Sequence, residues 1–456
     1  MLLEITMALT RRIVLGALLL GVTAGARADD WPQWLGPKRD SIWRETGLIE
    51  KFPEGGATIR WRAKVAAGYS GPAVAAGRVY VTDRVLAEGA KNHPEPFPQR
   101  PKEGIPGVER VLCFNEADGQ LVWKHEYDCP YTVSYPLGPR CTPTVHGGKV
   151  YTLGADGNLI CLDAADGKVL WSRELKKDYD VKAPLWGFSS HPLIDGQKLI
   201  TLVGGDGSVA VAFDKDTGKE IWRAMSARQP GYCPPHICEL NGQRQLIVWH
   251  SEAVNGLEPE TGKVLWSEPT ETYQGMSIST PLCFGNRVFI TGYPKTAELL
   301  QVKKDSESPE VIWKGDPKKK NGFYSVFSTP FYEDGYLYGV NGTIADGGGV
   351  LCCVKADTGE RVWESLQAHG PKRQGSAELF ITKVGDRFIL FNEKGDLIFA
   401  RLSLKGYEEI SRAHLLDATS SAFGREVLWS PPAFANRCAF VRNDKELLCV
   451  SLAKKD

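Results

Sequence analysis

The side chains with the most chemical potential in this sequence are eleven cysteines, eight histidines, and aromatic and arginine residues placed ahead of apolar runs. Cys352 and Cys353 are the one adjacent thiol pair, an arrangement that suggests a strained redox disulfide. They fall in an apolar inner strand, where neighbouring side chains point to opposite faces. Their α-carbons, about 3.8 Å apart across one peptide, also lie below the usual disulfide span. We read them as two strand residues. Cys233-Pro234-Pro235-His236-Ile237-Cys238 has the wrong order and spacing for a heme attachment sequence, and Cys233–Cys238 is the pair closest in sequence to examine for a bridge. Asp214 and Asp216 lack the further ligands of a calcium loop. The histidines form no His-x-His or His-x-x-x-His pair, so no metal site is expected. A Gly-x-Ser-x-Gly nucleophile elbow is missing too, and no catalytic residue is assigned.

The aromatic and arginine set points to binding. Tyr69, Tyr135, Arg140, Trp186 and His191 precede successive apolar strands, with Phe188 between them. Tyr232, His236, Tyr273, Met276, Phe323, Tyr324, Arg373 and Trp429 continue the series. Aromatic residues and arginine are the usual anchors of interfaces. If the loops bearing them converge, they form a binding face.

What would make them converge is a repeat with a period of about 44–51 residues. Its signature is a turn with glycine four residues before tryptophan. It runs from Asn115 to Trp123, and again at Asp163–Trp171, Asp214–Trp222, Glu258–Trp266 and Lys355–Trp363. Degenerate copies end at Trp313 and at Ile410. The glycine supplies positive φ for a hairpin turn. The regular spacing of Trp123, Trp171, Trp222, Trp266, Trp313 and Trp363 assigns them to packing against a neighbouring unit. Their loss to alanine is worth about 3–5 kcal/mol each.

A second marker opens each unit: Ser70-Gly71-Pro72, Cys141-Thr142-Pro143, Ser190-His191-Pro192 and Cys233-Pro234-Pro235. It returns at Ser279-Thr280-Pro281, Ser328-Thr329-Pro330 and Ser430-Pro431-Pro432, and without proline at Gly375-Ser376-Ala377. Proline is tolerated at the first residue of a strand. Between the markers lie two further strands, which makes four per unit, the pattern of a propeller blade. The final unit, from Val427 to Leu452, holds only three strands. Ile59-Arg60-Trp61-Arg62 near the start is an unclaimed outer strand with its own docking tryptophan, Trp61. Together they complete an all-β, eight-bladed β-propeller of four-stranded antiparallel blades, the ring closed by an N-terminal strand.

This propeller is expected over residues 57–456, with a surface insertion at 84–110 in the first blade. Residues 29–56 form a lead-in, Asp30-Trp31-Pro32-Gln33-Trp34-Leu35-Gly36-Pro37 among them, expected to pack across the outside or one face of the ring. Residues 1–28 read as an export signal: Arg11 and Arg12, an apolar run from Ile13, then Ala26-Arg27-Ala28 as a cleavage site. The run is shorter than the roughly 20 residues of a membrane span, and no cysteine follows it to carry a lipid anchor. Thr10-Arg11-Arg12-Ile13 resembles a twin-arginine signal but lacks its usual phenylalanine and lysine, so the general secretory route is favoured over it; either places the protein in the periplasm or beyond. Cys113, Cys161, Cys353 and Cys449 sit at equivalent strand positions, as small buried hydrophobes do. Lys+Arg and Asp+Glu both number 55, so the charge balance excludes a nucleic-acid binder.

The repeated Asp/Thr-Gly-x-x-x-Trp units over about residues 57–452 resemble the pyrroloquinoline quinone (PQQ) repeat. That family includes eight-bladed quinoprotein dehydrogenases and cofactor-free relatives such as BamB-like scaffolds. The Trp-Pro-Gln-Trp-Leu-Gly-Pro lead-in is similar to that of a bacterial group of exported members. The resemblance implies an exported, non-enzymatic scaffold for protein or peptide partners, without bound cofactor. The alternative it leaves open is a quinoprotein dehydrogenase, or a quinone sensor, holding PQQ with calcium.

Overall fold

Each Gly-x-x-x-Trp unit folds as a tight turn feeding an outermost strand. In the first copies the glycine holds positive φ, +73° at Gly119 and +75° at Gly167. Asn115, Asp163 and Asp214 turn their side chains back to accept from backbone N–H groups two residues on. The computed structural model describes residues 29–93, 100–343 and 348–455. The expected export signal at 1–28 lies outside the described residues.

The strands assemble into eight sheets arranged as the blades of a propeller. The first blade comprises Ala73–Ala75, Arg78–Leu86, Gly107–Asn115 and Leu121–Asp128, in that order from the channel outward. Six more blades repeat this antiparallel meander. The eighth holds Ala433–Ala435, Cys438–Arg442 and Glu446–Ser451, and Thr58–Lys64 pairs antiparallel with the last of these to supply its outer strand. The N-terminal strand therefore closes the ring. The prolines of the second marker stand immediately before innermost strands, as Pro72 does before Ala73–Ala75 and Pro330 before Phe331–Glu333. In the first blade the strand ladder continues to Leu86 opposite Gly107, so the inserted loop is 87–106, shorter than 84–110.

The hydrophobic core is distributed between adjacent blades. One cluster joins Tyr151 and Cys161 of the second blade to Leu199 and Phe213 of the third, and others repeat the scheme around the ring. The tryptophans lock these seams. Trp61, Trp123, Trp171, Trp222 and Trp313 each donate an indole N–H to a backbone carbonyl in the turn of the following blade, at 2.7–3.1 Å. Their rings lie on the turn glycine of that blade: a Cβ on Gly218 would come within 2.6 Å of Trp171. Trp363 reaches the Ser403 carbonyl in the same manner. Trp266 departs from the expected pattern. Its N–H goes to Gln245 in its own blade, 2.7 Å away, and its ring lies under Gly256. The next turn is in a degenerate copy without glycine, so it offers no bare backbone for the ring to lie on.

Cys233 and Cys238, the pair closest in sequence, are not joined; the bridge runs between Cys238 and Cys283. These residues lie on the innermost strands of the fourth and fifth blades, His236–Leu240 and Leu282–Phe284. Pro234-Pro235 leads straight into the first of these strands. Five extended residues, at about 3.3 Å each, carry Cys233 and Cys238 out of mutual reach. Cys233 is a buried free thiol, as are Cys113, Cys161, Cys353 and Cys449.

The lead-in crosses one mouth of the central channel. Trp31 pairs with Val74 of the first blade, and Ile42–Trp43 adds a fifth, parallel strand to the seventh blade. Phe52 then packs on Phe399. Between these anchors, Trp34 and Arg39 enter the channel. Arg39 is buried and donates to the carbonyls of Pro192, His191 and Pro235, and burial pushes its guanidinium down to about 10. Among the described residues, no helix is long and apolar enough to cross a membrane.

Candidate functional site

Because innermost strands all start from the same side of the ring, the loops that precede them gather around the other mouth of the channel. With the lead-in closing the far end, they enclose a blind cavity of about 810 Å³. Its size is that of small-ligand pockets. Tyr69, Tyr135, Arg140, Trp186, His191, Tyr232 and Trp429 all line it, together with Tyr273 and Met276.

Five other residues assigned to this face by sequence lie outside the cavity lining. Phe323 and Tyr324 are fully buried; Phe323 packs edge-on against Phe289, and the Tyr324 hydroxyl donates to Asn321. Their place between blades follows from Gly339, whose missing Cβ makes room for the Phe323 ring. His236 begins its innermost strand rather than the loop before it, and burial beside Arg39 pushes its imidazole down to about 4. Arg373 pairs with Glu364 on the outermost strand of the sixth blade. Phe188 also stays outside the cavity, buried against Gly157.

The walls are aromatic. Trp429, from the loop opening the eighth blade, contacts three rings from three other loops and Phe423 from the hairpin of its own connection. Its centroid lies 4.9 Å from Phe327, 5.7 Å from Tyr135, and 6.2 Å from both Tyr69 and Phe423. Elsewhere in the lining, Trp186 packs on Tyr232 at 5.5 Å and Tyr273 on Tyr293 at 6.4 Å. Trp34 of the lead-in also lines the cavity, stacked on His191. The His191 Nδ1 accepts from the Thr142 N–H, and burial holds its imidazole well below the usual histidine range, with Arg39 adding to the effect. Its ring thus accepts a backbone N–H and stacks on Trp34 in the lining.

Sequence reasoning missed Trp34, Phe327, Phe423, Arg425 and Gln374. Phe423 and Arg425 belong to a small extra hairpin, Ser420–Ala422 with Arg425–Val427, inserted before the eighth blade. The Phe423-Gly424 pair ahead of the eighth-blade marker was the available signal for it. Phe423 is 57% and Tyr273 49% exposed at the rim. Three lining residues, Tyr135, Ser376 and Phe423, hold φ of +51° to +56°. For bulky side chains that conformation costs on the order of 1–3 kcal/mol, and such strain clusters at functional sites.

Two guanidinium groups supply the charge. Arg425 is neutralised by a two-pronged pair with Glu393, at 3.0 and 3.1 Å. Arg140 is different. It donates to the carbonyls of Ser134 and Tyr135 at 2.8 and 2.6 Å, and to that of Gly138, and it lies over the Tyr69 ring. Among the described residues it forms no ion pair. Glu109, whose charge it feels, is itself buried and held by the Tyr127 and Tyr131 hydroxyls; burial raises that carboxyl above its usual range.

PQQ with calcium would need oxygen ligands for the metal in this lining. Calcium takes roughly six to eight oxygen ligands, carboxylates prominent among them. Among the described residues, no aspartate or glutamate lines the cavity, and Glu393 behind it is committed to Arg425. Among the described residues, no three His, Cys, Asp or Glu side chains converge on a metal position. Cys352 and Cys353 are buried strand residues, outside the lining. The described lining residues do not fit the calcium–quinone pair.

Residues 108–325 match the sequence family described as outer membrane protein assembly factor BamB. Among solved structures, the chain is similar to BamB from Moraxella catarrhalis, with a TM-score of 0.50 and 14% identity, over 82% of this chain and 99% of that one. It is also similar to a europium-containing methanol dehydrogenase, with a TM-score of 0.59 and 12% identity over 92% and 89% of the two chains. A quinohemoprotein alcohol dehydrogenase from Comamonas testosteroni aligns with a TM-score of 0.56 and 13% identity, over 94% and 81%. No curated protein matches the sequence. At these identities the structural likeness is one of fold.

Proposed function

Starting from a β-propeller of PQQ-like, BamB-like repeats, we propose that this protein is an exported binding scaffold for a protein or peptide partner, acting in envelope assembly. The observation that carries this reading is the blind, aromatic-walled cavity with half-exposed Phe423 and Tyr273 at its rim. Exposed aromatic side chains around a concave apolar patch are how a soluble surface presents itself to a partner. Arg140, which forms no ion pair among the described residues, adds a polar anchor, and the described lining residues include no carboxylate.

Photo-crosslinking in the native envelope tests the proposal. Photoreactive residues at positions 423 and 273 are expected to yield a discrete adduct with one protein. The same residue at position 362, on the outer edge of the sixth blade, is expected to yield none. Adducts of equal yield at all three positions would overturn the assignment of the face. Titration of the purified protein with PQQ and calcium, followed by a dye-linked alcohol oxidation assay, is expected to give neither binding heat nor turnover; turnover would replace the scaffold reading with a dehydrogenase.

A further inference from the structure

We propose that the cavity receives the C-terminal end of a polypeptide, with its terminal carboxylate on Arg140 and apolar or aromatic side chains between the ring walls. The inference rests on the reading of this cavity as a partner-binding site, and it names what enters.

The shape argues for a chain end. The cavity is closed below by Trp34 and His191, so an internal segment would have to enter, turn and leave through one opening. A volume of about 810 Å³ suits a few residues and not a folded element.

The charge argues for the C-terminus. An N-terminal ammonium, or a lysine, would sit between two arginines, with no carboxylate among the described lining residues to compensate it. A carboxylate instead meets Arg140, which, unlike Arg425, forms no ion pair among the described residues. Arg140 is fixed in place by three backbone carbonyls and the Tyr69 ring, so little side-chain entropy is lost when it engages an anion. Having donated three of its five N–H groups to carbonyls, it keeps two for a ligand.

The walls argue for apolar side chains. Trp429 with Phe327, Tyr135 and Phe423, and Trp186 with Tyr232, offer ring faces and edges and few obligatory polar partners. A sugar would leave many hydroxyls unsatisfied there. Capture of a terminal carboxylate is an established mode of peptide recognition.

A free aromatic acid shares this chemistry, and the experiment separates the two sources. The purified protein is titrated calorimetrically with an N-acetylated hexapeptide ending in leucine, valine and tryptophan as the free acid. The same peptide as its C-terminal amide and 2-naphthoate are titrated in parallel. The free acid is expected to bind at least about tenfold more tightly than the amide, and than naphthoate. Equal affinity of acid and amide would overturn the proposal, and binding of naphthoate alone would overturn the peptide as the source. Arg140→Met is expected to abolish the difference between acid and amide. Because Arg140 also holds its own loop, Gln374→Glu serves as a near-isosteric second variant that places a carboxylate in the lining. It is expected to weaken the free acid about tenfold or more and the amide less; unchanged affinity for the acid would sink the assignment. If rim crosslinks to a protein persist while the peptides fail, the scaffold reading stands and the chain-end inference falls.

Discussion

Trp34 lies flat on His191, their ring centroids 4.2 Å apart and their planes within 8°. The indole N–H also donates to the Thr280 hydroxyl at 3.0 Å. A residue of the lead-in thereby joins the loops that open the third and fifth blades across the channel, and forms part of the cavity lining. The lead-in is a component of the site.

Trp34→Ala is therefore expected to act on both stability and binding. Loss of a buried tryptophan costs about 3–5 kcal/mol, read as a lowered denaturation midpoint in guanidinium chloride. Binding at the opposite mouth should weaken in parallel as the cavity loses part of its lining. A stable variant with unchanged binding would show that the lead-in only covers the ring.

Trp171→Ala should behave otherwise. Its indole N–H meets the Lys215 carbonyl at 3.0 Å, on the seam between the second and third blades and away from the cavity. The expected result is a comparable stability loss without selective loss of ligand. Gly218→Ala, which pushes a methyl into the Trp171 ring at a backbone φ of +69°, should destabilise the same seam. The two effects should be non-additive in a double-mutant cycle. Additivity would refute the contact.

Cys283→Ser removes the staple between the fourth and fifth blades. The bridge closes a stretch of 45 residues, and the chain-entropy relation assigns such a loop about 4 kcal/mol. The expected result is a lower melting temperature than the parent under oxidising conditions, with no difference once both are reduced. Identical melting curves in both conditions would show that the thiols are not joined.

Glu378 lies buried behind the cavity and accepts from the Phe327 N–H at 3.1 Å. Burial, with Glu393 adding to it, raises its carboxyl well above the usual range. The unfolded chain ionises this group near its ordinary value while the folded protein resists. The group thus subtracts stability as pH rises above about 4.5, until its folded value is passed. Glu378→Gln is expected to raise the melting temperature at pH 7 and to leave it nearly unchanged at pH 4. An equal change at both pH values would remove ionisation as the cause.

Blade number, the order of strands, ring closure through Thr58–Lys64 and most of the docking tryptophans follow from the sequence alone. They are carried by a local rule, a glycine turn followed four residues later by an indole, which the chain repeats often enough to be counted. Tertiary structure alone decided the partner of Cys238, the inward turn of Trp266, the entry of Trp34 and Arg39 into the channel, and which loop residues face the cavity. Each of those rests on a meeting between blades or between the lead-in and the ring. Tyr324 and Tyr232 occupy similar places ahead of their strands, yet only the second lines the cavity. The difference comes from how neighbouring loops fill space, and a short stretch of sequence carries no record of the neighbours that its fold will bring to it.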